Sequence, residues 1–200
     1  MSSEPGNLLV TAGHCLYDPA RREAVASFVF VPGYQRGASP SRIYAGSIAA
    51  IHPKFAGGDR GYDYAFVTVY GAGGKQLADV VGGQGLAWND TGDKAVRVFG
   101  YKGAIDPRDR DTPRWCYGMP KLSTSGERAL KCNLAPGIVG GPLTVGYNDD
   151  GRRAEYVGGV VSAFEDTDGD GRHDRVLSTF FNGETEEVYN RVARHTTAAL

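Results

Sequence analysis

The chain has 200 residues and a mass of 21.3 kDa, enough for one large domain or one fold made of two half-barrels, and it can bury roughly 70% of its unfolded surface without staples. Lys and Arg number 22 against 23 Asp and Glu, which excludes a nucleic-acid or membrane-surface binder working by bulk charge. Apolar residues at 41% mark an ordinary globular protein, and no apolar run approaches the roughly 18 residues of a membrane span.

The first residues, MSSEPGN, lack the basic start and apolar stretch of a secretory signal. Predicted strands then follow at 8–12, 26–31, 43–51, 63–70, 95–101, 113–117, 143–147, 155–164 and 176–181. Their length, their β-branched and aromatic content and their Gly, Pro and Asp punctuation suit sandwich or barrel strands. Loops at 32–41, 55–62 and 106–112 separate some of them, and 29 glycines fit a fold with many tight turns. No internal repeat, heptad run or biased linker interrupts the pattern. The one predicted helix comes last, at 184–199. Glu184, Glu186 and Glu187 in its first turn, with Arg191 and Arg194 further on, complement the helix dipole. Val188 and Val192, four apart, give it a narrow stripe for docking on a sheet.

Three cysteines leave one over. Cys116 and Cys132 are close in sequence, and a bridge between them would close a short loop worth about 3 kcal/mol in the chain-entropy model. Such a bridge would put the protein outside the cytosol, and Cys15 would then lack a partner. The alternative is three buried thiols in a cytosolic protein.

Three segments carry chemistry together: LLVTAGHC at 8–15 presents His14 after a buried strand, GYDYAFVTV at 61–69 opens an apolar strand with Asp63, and PGIVGGPL at 136–143 is a glycine-rich turn leading into a strand. Acyl transfer by a triad wants these parts: an imidazole base, a carboxylate fixing its tautomer, and a nucleophile on a turn whose amides bind the oxyanion. Here the chain resembles the chymotrypsin/trypsin-like serine peptidases, in particular their actinobacterial trypsin-like and glutamyl-endopeptidase-like group. TAGHC matches the family's histidine box, and Asp63 with Ala65 matches its D-x-A box. CNLAPGIVGGPL, from Cys132, matches the length and Gly-Gly-Pro ending of its serine segment. FVFVPGY (28–34), VVGGQGLAWN (80–89), VFGYKG (98–103), CYG (116–118) and GGVVS (158–162) match in the same order.

The resemblance implies an all-β fold of two packed antiparallel six-stranded barrels with a C-terminal helix. It implies a single domain, with half-barrels at about 1–90 and 91–182 and the helix at 184–199. It gives His14 the base position and Asp63 the orienting acid, with Gly137 and Val139 as amide donors to an oxyanion. The family's nucleophilic serine falls on Val139, fixed by Gly137 before it and by Gly140, Gly141 and Pro142 after it. Valine can neither attack a carbonyl nor give a proton, and loss of a nucleophilic serine costs about 2 × 10⁶ in turnover in a related mechanism. The implied protein is therefore a secreted peptidase homologue without useful activity, needing no cofactor. It would bind peptide or protein by strand addition along residues 160–162, and neither nucleic acid nor membrane. Pro136 and Ile138 alter the oxyanion loop, and Asn133 lies where pocket-forming residues gather.

The resemblance also expects strands ahead of the histidine box, with a cysteine to pair with Cys15, where this chain supplies only MSSEPGN. Either a start placed too late or a natural truncation accounts for this, and the first barrel is expected to be N-terminally incomplete, with unpaired edges and exposed apolar surface. One competing reading is an active peptidase whose nucleophile is another hydroxyl among Ser123, Ser125, Thr144 and Ser162. Another is a calcium-dependent binding module. Residues 166–174 read D-x-D-x-D-G-x-x-D, the first part of an EF-hand-type loop, with Asp166, Asp168, Asp170, Arg172 and Asp174 at ligand positions and Leu177 where a bidentate glutamate belongs. The bland reading of this stretch is an Asp/Gly-rich hairpin. His52, His173 and His195 have no motif around them and read as surface or packing residues.

Overall fold

A computed structural model describes residues 1–91, 94–101, 111–123, 125–134, 137–146 and 156–198. Tyr147, Glu155, Pro136, Ala199, residues 102–103 and residues 106–110, which figure in the expectations above, lie outside them.

The first half-barrel is a four-stranded antiparallel sheet. It contains β1 (Leu8–Thr11), β4 (Val29–Phe30), β5 (Tyr44–Ile51) and β6 (Ala65–Val69), in the order β1-β6-β5-β4. β6 is buried at every position, so AFVTV reads as a continuous apolar run rather than an alternation. The hairpin of β2 (Tyr17–Asp18) and β3 (Glu23–Ala24) stands beside it. Two short helices, α1 (Pro53–Ala56) and α2 (Leu77–Val81), fall in predicted loop or unassigned sequence. Val29, Ile43 and Ile48 of this half stay exposed, as does Cys15, a free thiol.

Among the described residues the second half-barrel has eight strands. They are β7 (Gly85–Leu86), β8 (Val96–Tyr101), β9 (Pro113–Gly118), β10 (Lys121–Leu122), β11 (Arg128–Lys131), β12 (Pro142–Val145), β13 (Tyr156–Glu165) and β14 (Arg175–Ser178). Their order is β10-β11-β14-β13-β12-β8-β9, and β7 adds to β13 in parallel. The core of this half is made by Val96, Val98, Leu130, Leu134, Ile138, Leu143, Val145, Val161 and Val176. The expected bridge is present: Cys116 of β9 is disulfide-bonded to Cys132 just after β11.

The helix α3 (Gly183–Val192) is shorter than the predicted 184–199. Asn182 caps its start, accepting from the Thr185 amide at 3.1 Å, while the Thr185 hydroxyl accepts from the Asn182 amide. Beyond Val192 the chain exchanges helical bonds for bonds to the first half-barrel. The Asn7 amide group donates to the His195 carbonyl and to Thr197 Oγ1, the Gln76 amide group donates to the Thr197 carbonyl, and the Gly71 N–H donates to the Ala198 carbonyl. Val188 and Val192 form the expected stripe. They are buried with Leu8, Tyr64 and Phe66 of the first half and Val157, Val160 and Phe181 of the second, so one cluster joins helix and both barrels. Among the described residues no helix is long and apolar enough to cross a membrane.

Candidate functional site

β1 runs out of the first sheet through buried Ala12 into a 3-10 turn, Gly13–Cys15, which carries His14. Gly13 is required by close approach: a Cβ there would meet the Phe55 ring at 2.7 Å and Asp63 Oδ1 at 3.0 Å. Asp63, expected to open the strand at 63–70, is instead the C-cap of the 3-10 turn Arg60–Tyr62, and β6 begins only at Ala65. This turn aims the carboxylate back at His14. The His14 backbone N–H donates to Asp63 Oδ1 at 2.8 Å, and His14 Nδ1 lies 2.6 Å from Oδ2.

Sequence reasoning gave Ser162 only as a spare hydroxyl and a stretch of strand. Its Oγ donates to Asp63 Oδ2 at 2.8 Å from the opposite half-barrel, 99 residues away. Asp63 is only 4% exposed, so an ionised carboxylate there must have donors, and it has three. Burial pushes the Asp63 carboxyl up, but the hydrogen bonds from His14 and Ser162 outweigh it and hold the group below its ordinary value. The hydrogen bond to Asp63 raises the His14 imidazole above its usual range. A carboxylate accepts only, so Nδ1 carries the proton and Nε2 is left with a lone pair able to take one. The imidazole is 43% exposed and reaches a cleft of about 760 Å³.

The cleft wall on the second half-barrel is made by Ser162, Ala163 and Phe164, beyond the point where β12 stops pairing with β13 at Val160. Strand addition along 160–161 is closed. The Val160 N–H donates to Thr179 Oγ1 and its carbonyl accepts from the Thr179 N–H. The Val161 N–H donates to the Gly141 carbonyl and its carbonyl accepts from the Gly140 N–H. Among the described residues of β13, an extended ligand would be confined to 162–164, along the edge that does not pair with β14. His173, without a motif in the sequence, also lines the cleft, its ring 5.6 Å from that of Phe164.

The glycine-rich turn lies against the root of the His14 segment. The Gly141 N–H donates to the Ile138 carbonyl at 2.9 Å, closing the turn around Val139. Gly140 has φ +79°, and a Cβ on it would run into Thr11 Oγ1 of β1. Ile138 is 1% exposed and packs into the second core, where only a glycine at position 100 leaves it room. Val139 itself is half-buried. The hydroxyls considered as substitutes for a nucleophile are all engaged. Thr144 Oγ1 donates to the Arg97 carbonyl, Ser123 and Ser125 bond to each other and Ser125 to Glu127, and Ser162 holds Asp63.

The acidic loop joins β13 to β14 at one end of the cleft wall. It brings carboxylate oxygens of Asp166, Asp168 and Asp170 within 4.8 Å of one another. Asp174 is turned elsewhere, accepting from the Thr167 N–H and hydroxyl, and Arg172 gives its N–H to Asp170 Oδ1. Leu177 lies inside β14, paired with Ala129 and Ala163. Asp166 already accepts the Gly171 and Gly169 amides at 2.8 Å each, and these hold its carboxyl below the ordinary value.

Two curled antiparallel half-barrels, one C-terminal helix and a His–Asp–Ser network across their junction make this a trypsin-like double β-barrel. Protease Anisep from Arthrobacter nicotinovorans superposes with a TM-score of 0.85 at 25% identity, over 96% of this chain and 86% of that one. A thermostable serine protease, AL20, from an extremophilic microorganism superposes at 0.86 with 24% identity, over 98% and 88%. A Glu endopeptidase in complex with MPD gives 0.77 at 15% identity, over 94% and 82%. At 24% and 15% identity the last two speak to the fold alone. No protein-family model matches the sequence, and no curated protein matches it.

Proposed function

We propose that this chain is a secreted trypsin-like serine-protease homologue that retains a base and its orienting acid, lacks a nucleophile, and binds extended peptide in the cleft. One observation carries the reading. The His14–Asp63–Ser162 network is complete, while the turn that the G-x-S-G-G pattern assigns to the attacking oxygen bears an isopropyl group at Val139. His14 Nε2 then has no hydroxyl to deprotonate, and acyl transfer stops before its first bond is made. Binding does not need that bond. Residues 162–164 line the cleft beyond the last β12 pairing, and their edge away from β14 is where main-chain groups would meet an extended ligand, with Phe55, Phe164 and His173 lining the space beside it. The disulfide between Cys116 and Cys132 supports an oxidising compartment.

A fluorophosphonate probe tests the reading. The native chain is expected to remain unlabelled, and Val139→Ser to gain covalent label that disappears when His14→Ala is added. Labelling of the native chain that vanishes on substitution of one serine or threonine would overturn it. A second reading, weak calcium binding at the rim, is favoured by the convergence of Asp166, Asp168 and Asp170 within 4.8 Å.

A further inference from the structure

His52 follows β5 and is almost fully buried, its side chain 8% exposed. Its Nδ1 accepts the Lys54 N–H at 3.1 Å and so caps α1, which Pro53 begins. That bond fixes the tautomer: Nδ1 is bare, and Nε2 carries the proton toward Glu184 Oε2 at 3.3 Å. Glu184 belongs to the first turn of α3. It also takes Lys54 Nζ at 2.8 Å and the Tyr62 hydroxyl at 3.0 Å, and Lys54 Nζ donates to the Tyr62 hydroxyl at 2.9 Å. The Tyr62 ring stacks on the His52 ring with centroids 4.3 Å apart. Tyr62 immediately precedes Asp63. Four side chains thus tie the C-terminal helix to the short segment that delivers the carboxylate to His14.

We propose that His52, Lys54, Tyr62 and Glu184 form a pH-sensitive clamp, in which a proton arriving on His52 Nδ1 breaks the cap on α1 and loosens the segment presenting Asp63. The inference rests on the His14–Asp63 pair being the working site. A protonated Nδ1 points its N–H at the Lys54 N–H, so donor meets donor and the cap is lost. The groups facing His52 are Glu184, Glu187 and Arg191 from α3, Lys54 from α1, and the Tyr62 and Tyr64 rings from the turn before β6. Burial disfavours the imidazolium first, Glu184 and Glu187 favour it, and Lys54 and Arg191 oppose it, leaving the group below the ordinary imidazole value of 6.5. Because the folded value lies below the unfolded one, the clamp's contribution is complete above about pH 6.5 and is lost as pH falls below it. His14 is displaced in the opposite direction, so the two histidines titrate apart and can be told apart.

The test is an NMR titration of the full chain from pH 7.5 to 5.0, with amide exchange corrected for intrinsic rates. The Lys54 amide proton is expected to move with the His52 titration, and exchange at the Asp63 and Tyr64 amides to quicken with it. In His52→Asn, where the side chain still caps but cannot titrate, both changes disappear. The acid-side fall in Tm shrinks by about 2–4 °C relative to the native chain. A Lys54 amide that ignores pH, or exchange at Asp63 that does not follow it, overturns the clamp. If His52→Asn does not fold, the native titration alone still decides. The functional reading fails separately, through labelling of the native chain that one serine or threonine substitution removes, and that result leaves these amide signals as they are.

Discussion

Asp63 and Val139 come from opposite half-barrels, and the fold makes different demands at each. The Asp63 carboxylate is buried at the junction and accepts from His14 twice and from Ser162 once. Removing any of these donors would leave a buried anion short of partners, so the network is held together by stability whether or not chemistry follows. At residue 139 the half-buried side chain is apolar and brings no polar group that the fold must satisfy. The turn is shaped by its neighbours: Gly140 tucked under Thr11, Gly141 against the Phe99 carbonyl, and Ile138 in the core. An oxygen can be lost at 139 while every contact that folds the turn remains. On the proposed reading, a base and its acid can therefore outlast the nucleophile that they would serve.

That contrast breaks most readily at Gly141. A Cβ there would run into the Phe99 and Ile138 carbonyl oxygens, both of them backbone, so nothing flexible can move aside. Gly141→Ala is expected to destabilise by about 3 kcal/mol, whereas Val139→Ser changes stability by only about 1 kcal/mol. Urea midpoints of the two variants check this. Equal losses would mean that the side chain at 139 supports the turn after all.

The acid side gives the next largest effect. Asp63→Asn replaces an acceptor by a group that must donate toward His14 or Ser162, and is expected to cost about 2 kcal/mol near neutral pH. It should also flatten the pH dependence at both ends. The raised His14 value means that its share of the pairing is fully present below about 6.5 and lost as pH rises through the folded value. The lowered Asp63 value means that its share is present above about 3.8 and lost as pH falls through the folded value. Stability profiles of native and Asp63→Asn protein should differ most between these limits. Parallel profiles would deny the pair its stabilising role.

How far the sequence reaches can be seen in these same residues. β6 and β13 declare themselves as long apolar runs, and His14 and Asp63 stand in spaced boxes that survive without any knowledge of contacts. Strands of two residues, such as those at Tyr17, Glu23, Gly85 and Lys121, are too short for any period to register. The last helix ends before the predicted 199, although Ala193 and Arg194 are good helix formers, because groups more than 100 residues earlier, on Asn7, Gly71 and Gln76, pull the tail away. Ser162 looked like any strand serine, because its partner is on the other barrel. His52 carries a readable sign: a residue able to accept a hydrogen bond directly before Pro53 is the pattern of a helix cap followed by proline at the first position.

The rim loop should give the smallest effect, and it separates a site built for an ion from a turn that merely contains acids. Asp166, Asp168 and Asp170 converge, but each accepts at least one amide of its own loop, and Asp174 is committed to Thr167. A calcium ion would have to compete with those bonds and would find Leu177 in place of a final carboxylate. With a dissociation constant on the order of 10⁻³ M, an equal concentration of free calcium stabilises by about 0.4 kcal/mol. That corresponds to a rise in Tm of about 1 °C, which Asp168→Ala should abolish. A scan with calcium, with magnesium and with chelator measures it. No rise with calcium would leave the loop as a self-bonded hairpin, its acids satisfied by their own backbone amides in the same way that Asp63 is satisfied by His14 and Ser162.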